Sequence, residues 1–307
     1  MLLAQWRPQL SARLTAVVPS SLPLGRGTVS WRVLAEPVIF VGGGRALLLQ
    51  VAHPKVAAGV EQHSTYASDP WARLFRTVDV MTKLGFGSAD VSARQARLLA
   101  SIHEGVVGTT SAGDRYDAAD PQLLVWVWAT LVDTALRCYE RVFGPLTAPD
   151  LEQYLAEWHL IARACGVPDG ACPATWEAFE AYVDGVIRHQ LEVTDEARLV
   201  AHATMVPPLP WPLRPVATSL HQLATVGMLP PQVCAAYGMV WDEDRQRRLD
   251  RWFAVLGAVL RRTPRLVREL PTRDVLRRSE PLQAPRLQRY GARLTARRMA
   301  ELDGRRR

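Results

Sequence analysis

The chain has 307 residues, with 37 Lys+Arg against 30 Asp+Glu and a formal net charge of +7. Hydrophobic content of 48% and charged content of 22% belong to a globular chain and exclude a disordered one. No uncharged apolar run of about 18 residues occurs, so no transmembrane helix is expected.

Residues Met1 to Ser30 carry Arg7, Arg13 and Arg26 and lack the compact apolar stretch and small-residue cleavage site of a secretory signal, so a cytoplasmic location is expected. Cys138, Cys165, Cys172 and Cys234 form no Cys-x-x-Cys pair. That spacing speaks against a thiolate cluster or a disulfide framework and favours small buried hydrophobes, with a thiolate iron ligand as the alternative.

In chain order, Gly42-Gly43-Gly44 comes first but lacks the rest of any phosphate-binding motif. The apolar run Leu47 to Ala52 ends at His53-Pro54, where the proline marks a helix boundary. Gly59 to Ser64 follows, with His63 at a helix end and Glu61 two residues before it. Asp69-Pro70 then opens a helix on which Arg73, Arg76 and Thr77, at i, i+3 and i+4, share one face. Ser88 to Val107 is expected to be a helix capped by Ser88, carrying His103 after Leu98, Leu99 and Ile102.

Asp120-Pro121 caps the next helix, Gln122 to Phe143, which is apolar nearly all round and therefore central. Thr147 starts another that ends at Gly166-Val167-Pro168, and Pro173 to about Thr194 holds a further one. A Pro-rich break at Pro207 to Pro215 precedes shorter helices and a long amphipathic helix, Asp242 to Arg262. Period-two alternation is scarce, so an all-α single multi-helix domain is expected. Its divisions are a 1–30 N-terminal extension, a 31–270 helical domain and a 271–307 Arg-rich tail. The positive charge comes almost entirely from arginine, interleaved with glutamate and leucine, and no recognition motif accompanies it. A solvated helix face is expected rather than a nucleic-acid surface.

The polar residues with chemical reach in apolar settings cluster between His53 and Gly108. Two guanidiniums and a hydroxyl on one face suit a carboxylate, a bound anion or an oxygen developing negative charge, against the alternative of an ion-pair ladder with Asp69 and Asp79. His103 on its apolar helix suits iron, with Gly105 and Gly108 leaving room for a flat macrocycle, so haem is the candidate cofactor. His53 and His63 are alternative ligands. No His-Glu-x-x-His spacing or Gly-x-Ser-x-Gly elbow supports a hydrolase. His159, His189, His202 and His221 have no partner cluster and read as structural or exposed.

These segments resemble the rubber oxygenase and MpaB oxygenase family. The likeness rests on Gln50-Val51-Ala52-His53-Pro54, His63-Ser64, Asp69-Pro70 with Arg73-Leu74 and Thr77, and His103-Glu104-Gly105-Val106-Val107-Gly108. It continues through Tyr116-Asp117, Trp126-Val127-Trp128-Ala129, Phe143-Gly144-Pro145, Gly166-Val167-Pro168, Leu229-Pro230 and Tyr237 to Trp241, spanning roughly residues 30 to 270. The resemblance implies a globin-like helical core around one haem b and oxidative cleavage of isoprenoid double bonds with dioxygen. It implies His103 as the iron ligand, with His53, His63, Val107 and Gly108 lining the cofactor. Arg73, Arg76 and Thr77 would then be distal residues and Glu61 the better candidate base, with Glu104 behind it.

Two positions depart from the family pattern. Latex clearing protein has an iron-coordinating lysine where this chain has Arg76, and a guanidinium has no lone pair to donate. Relatives read Trp-Val-His-Ala where this chain has Trp128, which shifts weight to His103. The expected activity is a haem b-dependent oxygenase acting on a small apolar terpenoid or aromatic metabolite with dioxygen or peroxide. The alternatives are a non-catalytic haem-binding or sensing protein and a cofactor-free scaffold. No nucleic-acid partner is expected, and the oligomeric state is left open.

Overall fold

The computed structural model describes residues 22–63, 70–206 and 213–279. Asp69, most of the Pro-rich break and the tail from residue 280 lie outside the described residues. The elements are α1 (Val29–Leu34), a 3-10 turn (Pro37–Gly42), α2 (Gly43–Val51), α3 (Pro54–His63), α4 (Pro70–Phe86) and α5 (Ala89–Glu104). A small antiparallel hairpin follows, β1 (Val107–Thr109) and β2 (Arg115–Asp117), with Gly108 opposite Tyr116. Then come α6 (Pro121–Phe143), α7 (Ala148–Ala164), α8 (Trp176–His189), α9 (Asp195–Thr204), α10 (Leu213–Gly227), α11 (Pro231–Ala236), α12 (Glu243–Arg262), α13 (Arg265–Arg268) and α14 (Leu270–Arg277). The fold is all-α.

The caps fall where short polar side chains can take the first free N–H groups. Ser88, Asp120, Thr147 and Thr175 each accept from a backbone N–H in the first turn of α5, α6, α7 and α8. Three expectations shift. The helix expected to reach Val107 stops at Glu104, where the chain turns through Gly105 into β1. The helix expected to run to Thr194 stops at His189, and Thr194 instead caps α9. The break expected to last to Pro215 ends at Leu213, because proline is tolerated in the first turn of α10.

Helix α6 is central, as its apolar girth demands, packing on α2, α7, α8 and α12. Its Trp126 donates to the Leu49 carbonyl at 3.3 Å and its Trp128 to the Trp158 carbonyl at 3.0 Å. Burying side chains of this size contributes roughly 1.5–3 kcal/mol each.

The three glycines at 42–44 let three helices close on one point. A Cβ on Gly42 would meet Thr134 and Cys138 of α6, one on Gly43 would meet Leu74 of α4, and one on Gly44 would overlap Thr225 of α10. Beside them Arg45 is 1% exposed. It donates to Asp133 Oδ2 and Thr134 Oγ1 at 2.5 Å and to the Met228 carbonyl at 2.6 Å.

The ends described are part of the same body. Leu22 and Leu24 lie in the main core, and Leu24 N–H donates to the Gly85 carbonyl at 2.7 Å. Trp31 Nε1 donates to Glu269 at 3.1 Å, Arg268 pairs with Glu36, and α14 packs on α4. Leu24 and Leu270–Arg277 thus pack against α4.

Candidate functional site

Helices α4 and α5 form an antiparallel hairpin turning at Gly87-Ser88. Gly87 N–H donates to the Lys83 carbonyl, Ser92 Oγ donates to the Leu84 carbonyl at 2.6 Å, and a Cβ on Gly87 would crowd Val91. Equal rise along both helices then sets Arg73 level with Ile102, Arg76 with Leu99 and Thr77 with Leu98. Arg73 lies in the described part of α4. Arg76 and Thr77 are exposed. Asp79, expected as a possible rung of a surface ladder, is instead 3% exposed and pairs with Lys83 at 2.9 Å. The inner side of α4 is locked while Arg76 and Thr77 are open to solvent.

His103 is half-buried in the last turn of α5, and its carbonyl accepts from Val106 N–H. Leu98 and Ile102 of the same helix, turned about 100–140° around its axis from His103, are 47% and 52% exposed, large apolar side chains left in water. A Cβ on Gly105 would meet nothing nearer than the Ile102 carbonyl at 3.7 Å, so the backbone is open there. The end of α5 thus offers an imidazole and an uncrowded backbone, and its solvent face uncovered apolar surface, alongside the exposed Arg76 and Thr77 of α4.

Gly108 does not offer such room, contrary to expectation. A Cβ there would meet Tyr116 Oη at 2.5 Å and Gln62 Oε1 at 2.8 Å, so the glycine serves packing within the hairpin. Tyr116 donates to Gln62 Oε1 at 2.7 Å, Gln62 Nε2 donates to the Thr109 carbonyl at 3.0 Å, and His63 Nε2 lies 3.1 Å from the Val107 carbonyl. Because a carbonyl only accepts, His63 carries its proton on Nε2. The rings of His63 and Tyr116 meet edge-on at 6.3 Å. His63 and Val107 therefore clasp the end of α3 to β1, which fixes the exit of the chain from His103. Sequence reasoning missed Gln62 and Tyr116, whose pairing joins residues 54 apart.

His53 sits between α2 and α3, half-buried, with Nδ1 buried and lacking a hydrogen-bond partner among the described residues. Burial and then the nearby Lys55 push its pKa down, against a smaller opposing pull from Asp120. Its ring is a neutral imidazole with an unspent nitrogen, the strongest competitor to His103. Glu61 is exposed at the end of α3, and its charge helps push the Tyr116 hydroxyl pKa up, after burial. Glu104 is exposed on the last turn of α5.

Other expected candidates are structural. His159 Nε2 donates to the Pro173 carbonyl at 3.0 Å and its ring stacks on Trp128. His221 Nε2 lies 3.1 Å from the Thr204 carbonyl. His189 and His202 lie exposed on α8 and α9. Trp128 is buried among α7 and α8, which makes its departure from the family pattern a matter of core packing. All four cysteines are free, and burial pushes the thiols of Cys138, Cys165 and Cys172 up to about 12. They are neutral thiols, poor ligands at neutral pH. Among the described residues no group of three or more His, Cys, Asp or Glu could hold a metal ion.

A cavity of about 460 Å³ opens between α6, α8 and the α10–α11 turn, lined in part by Arg45, Asp133, Arg137, Asp184 and Arg188. Its charges pair with one another: Asp133 with Arg45 and Arg137, and Asp184 with Arg188.

The family model described as "ER-bound oxygenase mpaB/B'/Rubber oxygenase, catalytic domain" matches residues 31–262. The chain belongs to this family. Uncharacterized proteins of Mycobacterium bovis and Mycobacterium tuberculosis are each 28% identical over 229 residues, covering 72% of this chain and 87% of theirs. The structure of latex clearing protein in the closed state matches with a TM-score of 0.54 at 19% identity, over 91% of this chain and 79% of that one. That likeness establishes the shared helical fold.

Proposed function

We propose that this chain is a haem b-dependent oxygenase acting on a small apolar molecule, terpenoid or aromatic, with dioxygen or peroxide. The observation that carries the reading is the half-buried His103 imidazole in the last turn of α5, the helix that runs antiparallel to α4 with its exposed Arg76 and Thr77 and that also carries uncovered Leu98 and Ile102. The residues present fit the group: one imidazole for iron, open apolar surface for a macrocycle, and guanidiniums for its carboxylates. Membership of an oxygenase family supports the same reading.

Haem bound there would supply oxygen activation at its iron, with His103 as the protein's ligand to the metal. The chain's own residues do the rest. Arg73 and Arg76 place positive charge where an oxygen develops negative charge, and Thr77 donates its hydroxyl proton to the same region. Leu98 and Ile102 exclude water from the apolar side, and Glu61 at the end of α3 takes a proton from the substrate. The Arg76 guanidinium has no lone pair to donate, so it holds an anion rather than closing the site as a ligand.

The test is oxygen consumption by the haem-loaded protein with a panel of short isoprenoids and aromatics, trapping carbonyl products as hydrazones. Consumption with carbonyl formation is expected for one class. Haem binding without any consumption would leave a haem-binding protein and overturn the catalytic part of the proposal.

A further inference from the structure

A second group of uncovered apolar side chains lies far along the chain from His103. Helix α12 turns Leu249, Phe253 and Gly257 inward, one every four residues. At 100° per residue, Arg248, Arg251, Val255, Val259 and Arg262 fall together on the opposite, solvent-facing side. Val255 and Val259 are 66% and 58% exposed, and the next elements in the chain, α13 and the start of α14, expose Leu266, Val267 and Leu270. Arg251 and Arg262 donate to the Arg247 and Ala258 carbonyls of their own helix. Among the described residues neither they nor Arg248 has a carboxylate partner. Asp244, the acid nearest this strip, is engaged by Arg247 at the far N-terminal end.

We propose that this face of α12 and α13 lies on an anionic lipid surface. A strip of unpaired arginines interleaved with branched aliphatic side chains matches a bilayer interface, which offers negative headgroups and apolar depth together. A second copy of the chain would set arginine against arginine across a closed contact. A nucleic acid would neutralise the arginines but leave the valines and leucines in water. The placement is peripheral: no helix of the described residues is long and apolar enough to cross a membrane.

The experiment is flotation of the full chain with phosphatidylcholine vesicles, with and without phosphatidylglycerol. Wild type is expected to float only with the phosphatidylglycerol vesicles. V255E/V259E is expected to lower the bound fraction by about tenfold or more, with the milder V255S/V259S pair lowering it in the same direction. Val240→Glu, equally exposed but outside the strip, is expected to float as wild type. Failure of wild type to float overturns the proposal. So does V255E/V259E floating as wild type, because the arginine-rich tail would then account for the binding. The readout does not involve haem or turnover, so its failure is separate from failure of the proposed oxygenase activity.

Discussion

The knot around Arg45 and the open face around His103 contain the same chemical ingredients, arginine, hydroxyl and ring or carboxylate, arranged to opposite ends. In the knot, Arg45 meets Asp133, Thr134 and the Met228 carbonyl, and Asp133 also takes Arg137. Burial would push the Asp133 carboxyl up, but the two guanidiniums outweigh it and hold the carboxyl below its ordinary value. The donors and acceptors there are matched, which is the signature of architecture. At the α4–α5 face, Arg76, Thr77, Leu98 and Ile102 stand uncovered beside a half-buried imidazole. Exposed polar groups and uncovered apolar surface on one helix pair are what a ligand site offers.

The contrast can be broken most forcefully at the knot. Asp133→Ala leaves Arg45 charged, buried and unpaired, so a loss of about 3–5 kcal/mol is expected in urea unfolding. Gly44→Ala forces a methyl onto Thr225 and is expected to cost roughly 1–3 kcal/mol by the same measurement. Arg76→Ala should leave stability nearly unchanged, since the side chain is exposed, yet lower turnover of the haem-loaded protein by about 10²-fold. If stability fell and turnover did not, Arg76 would belong with the architecture.

The smallest effect is in pH. Burial holds His53, His159 and His221 below their ordinary pKa, so the unfolded chain binds more protons near pH 6 than the folded one. Their contribution is present above the unfolded histidine pKa and is lost as pH falls from there through the lower folded-state pKa, so the urea midpoint should drop from pH 7.5 to 5.5. His53→Gln should flatten that slope, and an unchanged slope would remove His53 from the account.

Much of the fold was legible because its determinants are local. Caps at Ser88, Asp120, Thr147 and Thr175 act within their own first turn, and the apolar girth of α6 announces its burial. The placing of Arg73, Arg76 and Thr77 on one helix and of His103 near the end of the next was legible for the same reason. What escaped depends on residues brought together from afar. Arg45 and Asp133 are 88 apart, the three glycines each answer to a different helix, and Gly108 is explained only by Tyr116 and Gln62. The end of α5 was misplaced because Gly105 ends it while the apolar pattern runs on into β1, where pairing with β2 takes over.

The most direct measurement is the absorption spectrum of the haem-reconstituted full chain with a pyridine haemochrome assay, for wild type and for His103→Ala, His53→Ala and His63→Ala. The account predicts a Soret band with stoichiometric haem b in wild type, lost in His103→Ala and kept in His63→Ala, whose ring only clasps β1. No Soret band in wild type, or haem retained in His103→Ala and lost in His53→Ala, would contradict it.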